Sequence, residues 1–210
     1  MGVDKIILRA FLSTLLAIVS LIALMTAVLV LGFPSTLMHF SYDLGMDASS
    51  VWYGKRAYKR SGDIYYIAYA TDVAIGMEDY EKIEFCGEKL LADDEFAHYC
   101  AEKNEQLPAS VTMTYDQYVY GQVCVAMYEQ DKKSEAVNRA FELTFQGENA
   151  AFPKNNAVVA VLYTAIGDKD GATVALIEGK MKQMQAQATL SAQDRAYFEQ
   201  VLGLVDEQNG

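Results

Sequence analysis

From Ala10 to Met38 the chain runs for 29 consecutive residues without a charged side chain, and Phe11 to Phe33 is dominated by Leu, Ile, Val, Ala and Met. About 20 apolar residues are enough to cross a hydrocarbon core of roughly 30 Å as a helix, and a helix apolar on every face is poorly suited to a water-facing surface. The stretch is therefore read as a transmembrane segment over residues 10–33. A short N-terminus, residues 1–9, precedes it, and a juxtamembrane connector, residues 34–47, follows. A cleaved leader is the competing reading, but its apolar core would span only about 7–15 residues and end at a small-x-small site. The run here is longer, and Leu31-Gly32-Phe33-Pro34-Ser35-Thr36-Leu37 offers no Ala-x-Ala. An uncleaved signal anchor fits better. N-myristoylation is disfavoured because Ile6 stands where that signal needs Ser or Thr.

Orientation follows from the basic residues flanking the span. Lys5 and Arg9 lie on its amino side; on the carboxyl side nothing basic precedes Lys55 apart from the titratable His39. The N-terminus is expected in the cytoplasm and the C-terminal domain outside it. Beyond residue 38 the chain carries 15 Lys and Arg against 27 Asp and Glu, a net charge of −12. Nucleic acid and anionic lipid headgroups both reward clusters of Lys and Arg, so this balance ranks them as poor partners.

After the anchor the chain reads as helix after helix, with prolines only at Pro34, Pro108 and Pro153. The expected segments are 48–60, 63–76, 79–91, 94–104, 114–129, 132–145, 154–166, 169–186 and 191–207. Asp63, Asp79, Asp93, Ser134 and Asp168 stand where a side chain can accept from a free amide at a helix start, and Ser191 with Asp194 resembles a capping box. Turns between paired helices fall at Ser61-Gly62, Ala92-Asp93, Gln130-Asp131 and Gly167-Asp168, giving spacings near 31, 38 and 37 residues. Such a period marks an array of helix hairpins, each of which buries its apolar face only by stacking on a neighbour.

The fourth pair carries the clearest pattern: Val159-Ala160-x-x-Tyr163-x-x-x-Gly167, then Ala172, Leu176 and Gly179. The third supplies Tyr120, Val123, Cys124 and Met127, then Ala136, Ala140 and Leu143. The second supplies Ile83, Cys86, Gly87 and Leu90, with Tyr99 where a small residue belongs; the first keeps Tyr58, Gly62 and Ala74. This pattern resembles the tetratricopeptide repeat, in which an aromatic and a turn glycine on the first helix precede small residues on the second. The resemblance implies an all-α chain in which residues 48–190 form about four tetratricopeptide-like hairpins of an α-solenoid. Another α-solenoid or an irregular bundle is the alternative. Residues 191–210 then supply a capping helix and tail, with Phe198, Val201, Leu202 and Val205 on one stripe.

No catalytic motif accompanies this architecture. There is no glycine-rich phosphate loop, no Gly-x-Ser-x-Gly and no His-Glu-x-x-His. His39, His98, Cys86, Cys100 and Cys124 lack metal-site spacing, and His98 and Cys100 point to different helix faces. Neither metal nor cofactor is expected, and the chain reads as a non-enzyme. Cys86 and Cys100 stand about seven residues either side of the turn at Asp93. In an exported domain they can form a disulfide; as two buried thiols in a helix interface they need not.

Aromatic residues are concentrated, with 12 of the 14 tyrosines and the single tryptophan lying between Tyr42 and Tyr128. Neighbours such as Tyr65 and Tyr66 are about 100° apart on a helix and cannot share one core stripe. Trp52, Tyr53, Tyr80, Tyr115 and Tyr118 are therefore candidates for a partner-binding groove on successive first helices, set against ordinary packing and a membrane-proximal aromatic belt. The expected function is a membrane-anchored adaptor that binds protein or peptide partners outside the cytoplasm, in secretion or envelope assembly. The alternative is an accessory subunit of a larger membrane complex, held through its span, where Ser13, Ala17 and Ser20 form a small-residue face.

Overall fold

A computed structural model of the chain describes residues 3–108, 110–111, 113–145, 156–187 and 192–209, and these are all-helical. The helices are α1 (Val3–Gly32), α2 (Pro34–Asp43), α3 (Asp47–Ser61), α4 (Ile64–Gly76), α5 (Tyr80–Leu91), α6 (Phe96–Glu105), α7 (Tyr115–Glu129), α8 (Lys133–Thr144), α9 (Ala157–Gly167), α10 (Gly171–Gln187) and α11 (Ala192–Asn209), with no strand among the described residues. The expected segment ends at 154 and 191 lie outside those residues.

Within α1, Arg9–Gly32 is a 24-residue stretch of mean hydropathy 2.8, long and apolar enough to cross a membrane and buried nowhere against the rest of the chain. Three of its hydroxyls are satisfied internally. Ser13 and Thr14 donate to the Ala10 carbonyl at 2.9 and 3.0 Å, and Thr26 donates to that of Ile22 at 2.9 Å. No protein partner is needed for these groups in a medium without water.

The expected connector is in fact largely helical. Pro34 opens α2 at its first turn, where a missing amide costs nothing and the fixed φ suits a helix. Pro34, Met38 and Ser41, at i, i+4 and i+7, are buried, and the Ser50 hydroxyl of α3 donates to the Met38 carbonyl at 2.9 Å.

From α2 onward each helix packs on the next through α5; then α5 packs on α7, α7 on α8 and α9, α9 on α10, and α10 on α8 and α11. The helix α6 departs from the expected pairing, because it rests on α7 rather than on α5. Its few anchors explain this. Only Phe96 and Cys100 are buried, and the Phe96 ring meets Tyr120 of α7 edge-on at 5.8 Å. The Asn104 side chain accepts the Tyr115 amide at 2.7 Å and donates to Asp116 at 3.1 Å, pinning α6 to the start of α7.

Two apolar clusters result, with α7 contributing to both. Val51, Ile67, Ile83, Leu90, Val119 and Val123 belong to the first, and Tyr128, Phe141, Leu162, Ile177, Met181 and Phe198 to the second. The closing stripe on α11 is in place: Phe198, Val201 and Val205 are buried, and Phe198 stacks on Phe145 at 5.8 Å with planes 14° apart. In the fourth pair, however, Tyr163 is 56% exposed, and a Cβ at Gly179 would meet nothing within 4 Å. The close approach implied by the resemblance is absent there; Val161, Leu162, Ala165, Ile177 and Met181 carry the packing.

Several junctions share one device, a left-handed residue followed at once by an aspartate cap. Gly62, Glu78 and Lys169 have φ of 73°, 54° and 58°. Asp63 then accepts the Tyr65 amide at 2.9 Å, Asp79 that of Lys82 at 3.1 Å, and Asp170 that of Thr173 at 3.2 Å. Asp93 accepts the Glu95 amide at 3.0 Å. Two expected caps move: Ser134 lies inside α8, and Asp168 closes α9 while Asp170 caps α10. The Ser191–Asp194 box lies outside the described residues.

Cys86, Cys100 and Cys124 are all buried and free, the second of the two readings left open for Cys86 and Cys100. Both thiols enter the same apolar cluster, but from helices that do not form a packed hairpin. Burial pushes the Cys86 thiol to about 11 and those of Cys100 and Cys124 to about 12, leaving a negligible thiolate fraction at neutral pH. A thiol-reactive maleimide should therefore label the native protein slowly and reach all three cysteines once it is denatured without reductant; intact mass distinguishes this from an oxidised pair.

Candidate functional site

Trp52, Lys55, Arg56 and Lys59 occupy i, i+3, i+4 and i+7 of α3, a single face. The opposite face of that helix is held tight against its neighbours: Val51, Gly54 and Ala57 are buried, and a Cβ on Gly54 would come within 3.1 Å of Ala70, of Met38 and of the Tyr66 carbonyl. Next to it, α5 buries Ile83, Cys86, Gly87 and Leu90 and turns Phe85 and Lys89 outward. Between the two outer faces lie adjoining hollows of about 710 and 520 Å³, which share Lys55, Phe85 and Lys89. The two aromatic side chains are open to solvent, Trp52 at 47% and Phe85 at 44%.

Cations cover the rings. The Lys55 ammonium stands 3.8 Å from the centre of Phe85, with Lys89 at 5.2 Å from the same ring, and the Arg56 guanidinium lies 5.2 Å from Trp52. Such contacts hold a charge over a π-face without neutralising it.

Of the carboxylates lining these hollows, Glu84 and Glu88 are already engaged, while Glu81 is exposed in the lining of the first. Glu84 takes Lys132 at 2.6 Å and the Gln130 amide at 2.7 Å, and Glu88 receives Arg139 through two bonds of 2.8 and 2.6 Å. Lys82 pairs with Asp79. Among the described residues no carboxylate pairs with Lys55, Arg56, Lys59 or Lys89. In a chain of net charge −11, four unpaired cations on one groove form a local field opposite to the average. The groove can take carboxylates on Lys and Arg, bidentately on Arg56, while Trp52 and Phe85 offer apolar area.

The five aromatic residues expected to line a groove do not gather in one. Trp52 lines the cationic hollow, and Tyr53 meets its ring edge-on at 4.9 Å. Tyr80 packs against the first cluster, and its carbonyl accepts the Gln130 amide at 3.1 Å. Tyr115 is half-buried, donates its hydroxyl to Asp72 at 3.0 Å and sits 5.9 Å from Tyr99; burial, then the neighbouring Asp72 charge, pushes its phenol up. Burial likewise raises the Asp72 carboxyl, opposed by that hydrogen bond. Tyr118 is 36% exposed on α7. Other tyrosines form a ring cluster on α2 and α4, where Tyr69 meets His39 at 5.1 Å and Tyr42 at 5.7 Å.

Lys55, Arg56, Lys59, Phe85 and Lys89 were not foreseen as site residues. Their signal was available: Lys55-Arg56-x-x-Lys59-Arg60 beside Trp52 is the densest cationic run in the chain. Among the described residues no three His, Cys, Asp or Glu side chains lie together in a way that could hold a metal ion. Compared with protein-family models, curated proteins and solved structures, the chain matches none.

Proposed function

We propose that this chain is a single-pass membrane adaptor whose helical domain captures an acidic, extended segment of a partner protein in the groove between α3 and α5. The unpaired cations Lys55, Arg56, Lys59 and Lys89 flanking Trp52 and Phe85 carry the reading. Charged groups without internal partners stay hydrated and ready to pair, and aromatic anchors among them supply the area that charge alone does not. The signal-anchor orientation set by Lys5 and Arg9 puts the domain outside the cytoplasm. A tetratricopeptide-like array is supported by α3/α4, α7/α8 and α9/α10, pairs joined by short turns, and by the stacking of α5, α7 and α9 in order.

The test is site-specific photocrosslinking of the full-length chain in native membranes. A photoreactive residue replaces Phe85, and a control replaces the exposed Gln200 of α11. Capture of a discrete protein through an acidic peptide at position 85 alone, reduced at least about tenfold by Lys55→Glu with Lys89→Glu, is the expected result. Equal capture from both positions, or capture indifferent to the charge reversal, would overturn the reading.

A further inference from the structure

The membrane helix meets the folded domain at a junction built around three cations. Phe33, with φ −134° and ψ 52°, interrupts the helical backbone between Gly32 and Pro34, so α2 begins a new axis one residue after α1 ends. The last carbonyls of a helix lack partners within it, and α1 has no basic residue in its final turn. Arg60 of α3 supplies the missing donor, its Nη1 reaching the Leu31 carbonyl at 2.7 Å and the Gly32 carbonyl at 2.8 Å. Beside this tie opens a cleft of about 380 Å³ lined by Leu31, Pro34, Arg56, Lys59 and Arg60.

We propose that this cleft binds the phosphate of an anionic phospholipid from the leaflet in which α1 ends; the assignment rests on α1 spanning the bilayer. Position argues for it first. The residues at the end of a spanning helix stand where hydrocarbon gives way to headgroups, and Arg60 is bonded to those residues. Charge argues next, because Arg56, Lys59 and Arg60 face the cleft with no carboxylate paired to them among the described residues. Arg60 spends only Nη1 on α1, which leaves Nε and Nη2 to bind phosphate oxygens.

The apolar half of a lipid also has a place. Leu37 and Phe40 on α2, with Phe33 and Leu44 flanking its two ends, recur at a spacing of four, three and four residues, and Phe33, Phe40 and Leu44 are 54%, 58% and 57% exposed. This stripe is set apart from the buried Pro34, Met38 and Ser41. A helix carrying such a stripe beside cationic residues fits the boundary between headgroups and acyl chains. The acidic average of the domain, which ranks anionic lipid as a poor partner, is overruled locally because screening confines each charge to about 10 Å or less.

Full-length protein reconstituted in nanodiscs of mixed phosphatidylcholine and phosphatidylglycerol, then analysed by native mass spectrometry, tests the site. One phosphatidylglycerol retained per chain in preference to phosphatidylcholine is expected. Arg56→Gln with Lys59→Gln should lower that preference at least about tenfold, Lys59→Gln alone, at an exposed position, by a smaller factor, and Lys89→Gln not at all. Equal retention of both lipids, or a preference untouched by the double variant, overturns the proposal. So does retention abolished by millimolar inorganic phosphate, which would assign the cleft to a soluble anion. A Leu21→Trp, Trp52→Phe protein in brominated-lipid nanodiscs reports separately on the span. If its fluorescence is unquenched, the span and this site both fall; if it is quenched while lipid retention is unselective, only this site falls.

Discussion

Gly87→Val should lower the melting temperature by roughly 6–12 °C, the shift that about 3 kcal/mol produces in a chain of this size. A Cβ placed on Gly87 of α5 would stand 2.2 Å from Cγ2 of Val123 on α7. Both residues are buried, and Val123, β-branched on a helix, has essentially one rotamer and cannot swing aside. Overpacking of this kind costs typically 1–3 kcal/mol and sometimes more. In Gly87→Ala the gain in helix propensity, about 1 kcal/mol, offsets part of the clash, so alanine should destabilise less than valine. Gly87→Ala with Val123→Ala should then recover most of the loss, because the removed methyl groups are the obstacle. Thermal melts of full-length protein followed by helical circular dichroism give all four values. A Gly87→Ala variant more stable than the parent would show that α5 and α7 do not approach closely.

The helices beyond α1 were legible because their signals are local: apolar stripes at helical spacing and polar punctuation every dozen or so residues. What escaped depended on partners distant in sequence. Pro34 is a breaker when read alone, yet at the start of α2 it opens a helix, and only the α3 surface that receives Met38 and Ser41 shows why that helix holds. The pairing of α5 with α6 followed from adjacency, whereas the bonds of Asn104 to Tyr115 and Asp116 bind α6 to α7 instead. The aromatic clusters drew attention away from the cations. Net charge is a sum over the surface; the groove is a matter of which charges are left unpaired, and the ties of Glu84 to Lys132 and Glu88 to Arg139 each bridge more than 45 residues of sequence.

One joint recurs along the chain and bears on how its helices are held in order. Tyr58, near the end of α3, donates to Asp93 just before α6 at 2.7 Å. Tyr128, at the end of α7, donates to Asp170 just before α10 at 3.1 Å. In each case a phenol near the end of one helix meets an aspartate just before the third helix further along the chain, α3 to α6 and α7 to α10. Packing of apolar faces tolerates sliding, but a hydrogen bond between two fixed points does not, so these joints set register between the helices they join. In the first joint the bond to Asp93 raises the Tyr58 phenol to about 12.

The second joint is the more heavily loaded, and Asp170→Ala should cost about 2–4 kcal/mol. Asp170 accepts the amide and the hydroxyl of Thr173 at 3.2 and 2.8 Å, the Tyr128 hydroxyl at 3.1 Å and the Lys133 ammonium at 2.9 Å. Loss of a helix cap costs about 1 kcal/mol. The Tyr128 side chain is 2% exposed, and a buried hydroxyl deprived of its acceptor adds about 1–3 kcal/mol. The Lys133 pair adds little, since that side chain is 42% exposed. If the phenol is the main loser, Tyr128→Phe should cost less than Asp170→Ala, and the double variant should cost less than the sum. The same carboxyl links stability to pH. Hydrogen bonds, Lys133 first, hold it well below the usual carboxylate range, so folding favours the ionised form. Its stabilisation is present above the unfolded value near 3.9 and fades as pH falls below that value toward the depressed folded one. The parent should therefore lose melting temperature more steeply below about pH 4 than Asp170→Ala does. Parallel slopes for the two proteins would mean that Asp170 titrates as an ordinary surface carboxylate and that the joint does not carry this load.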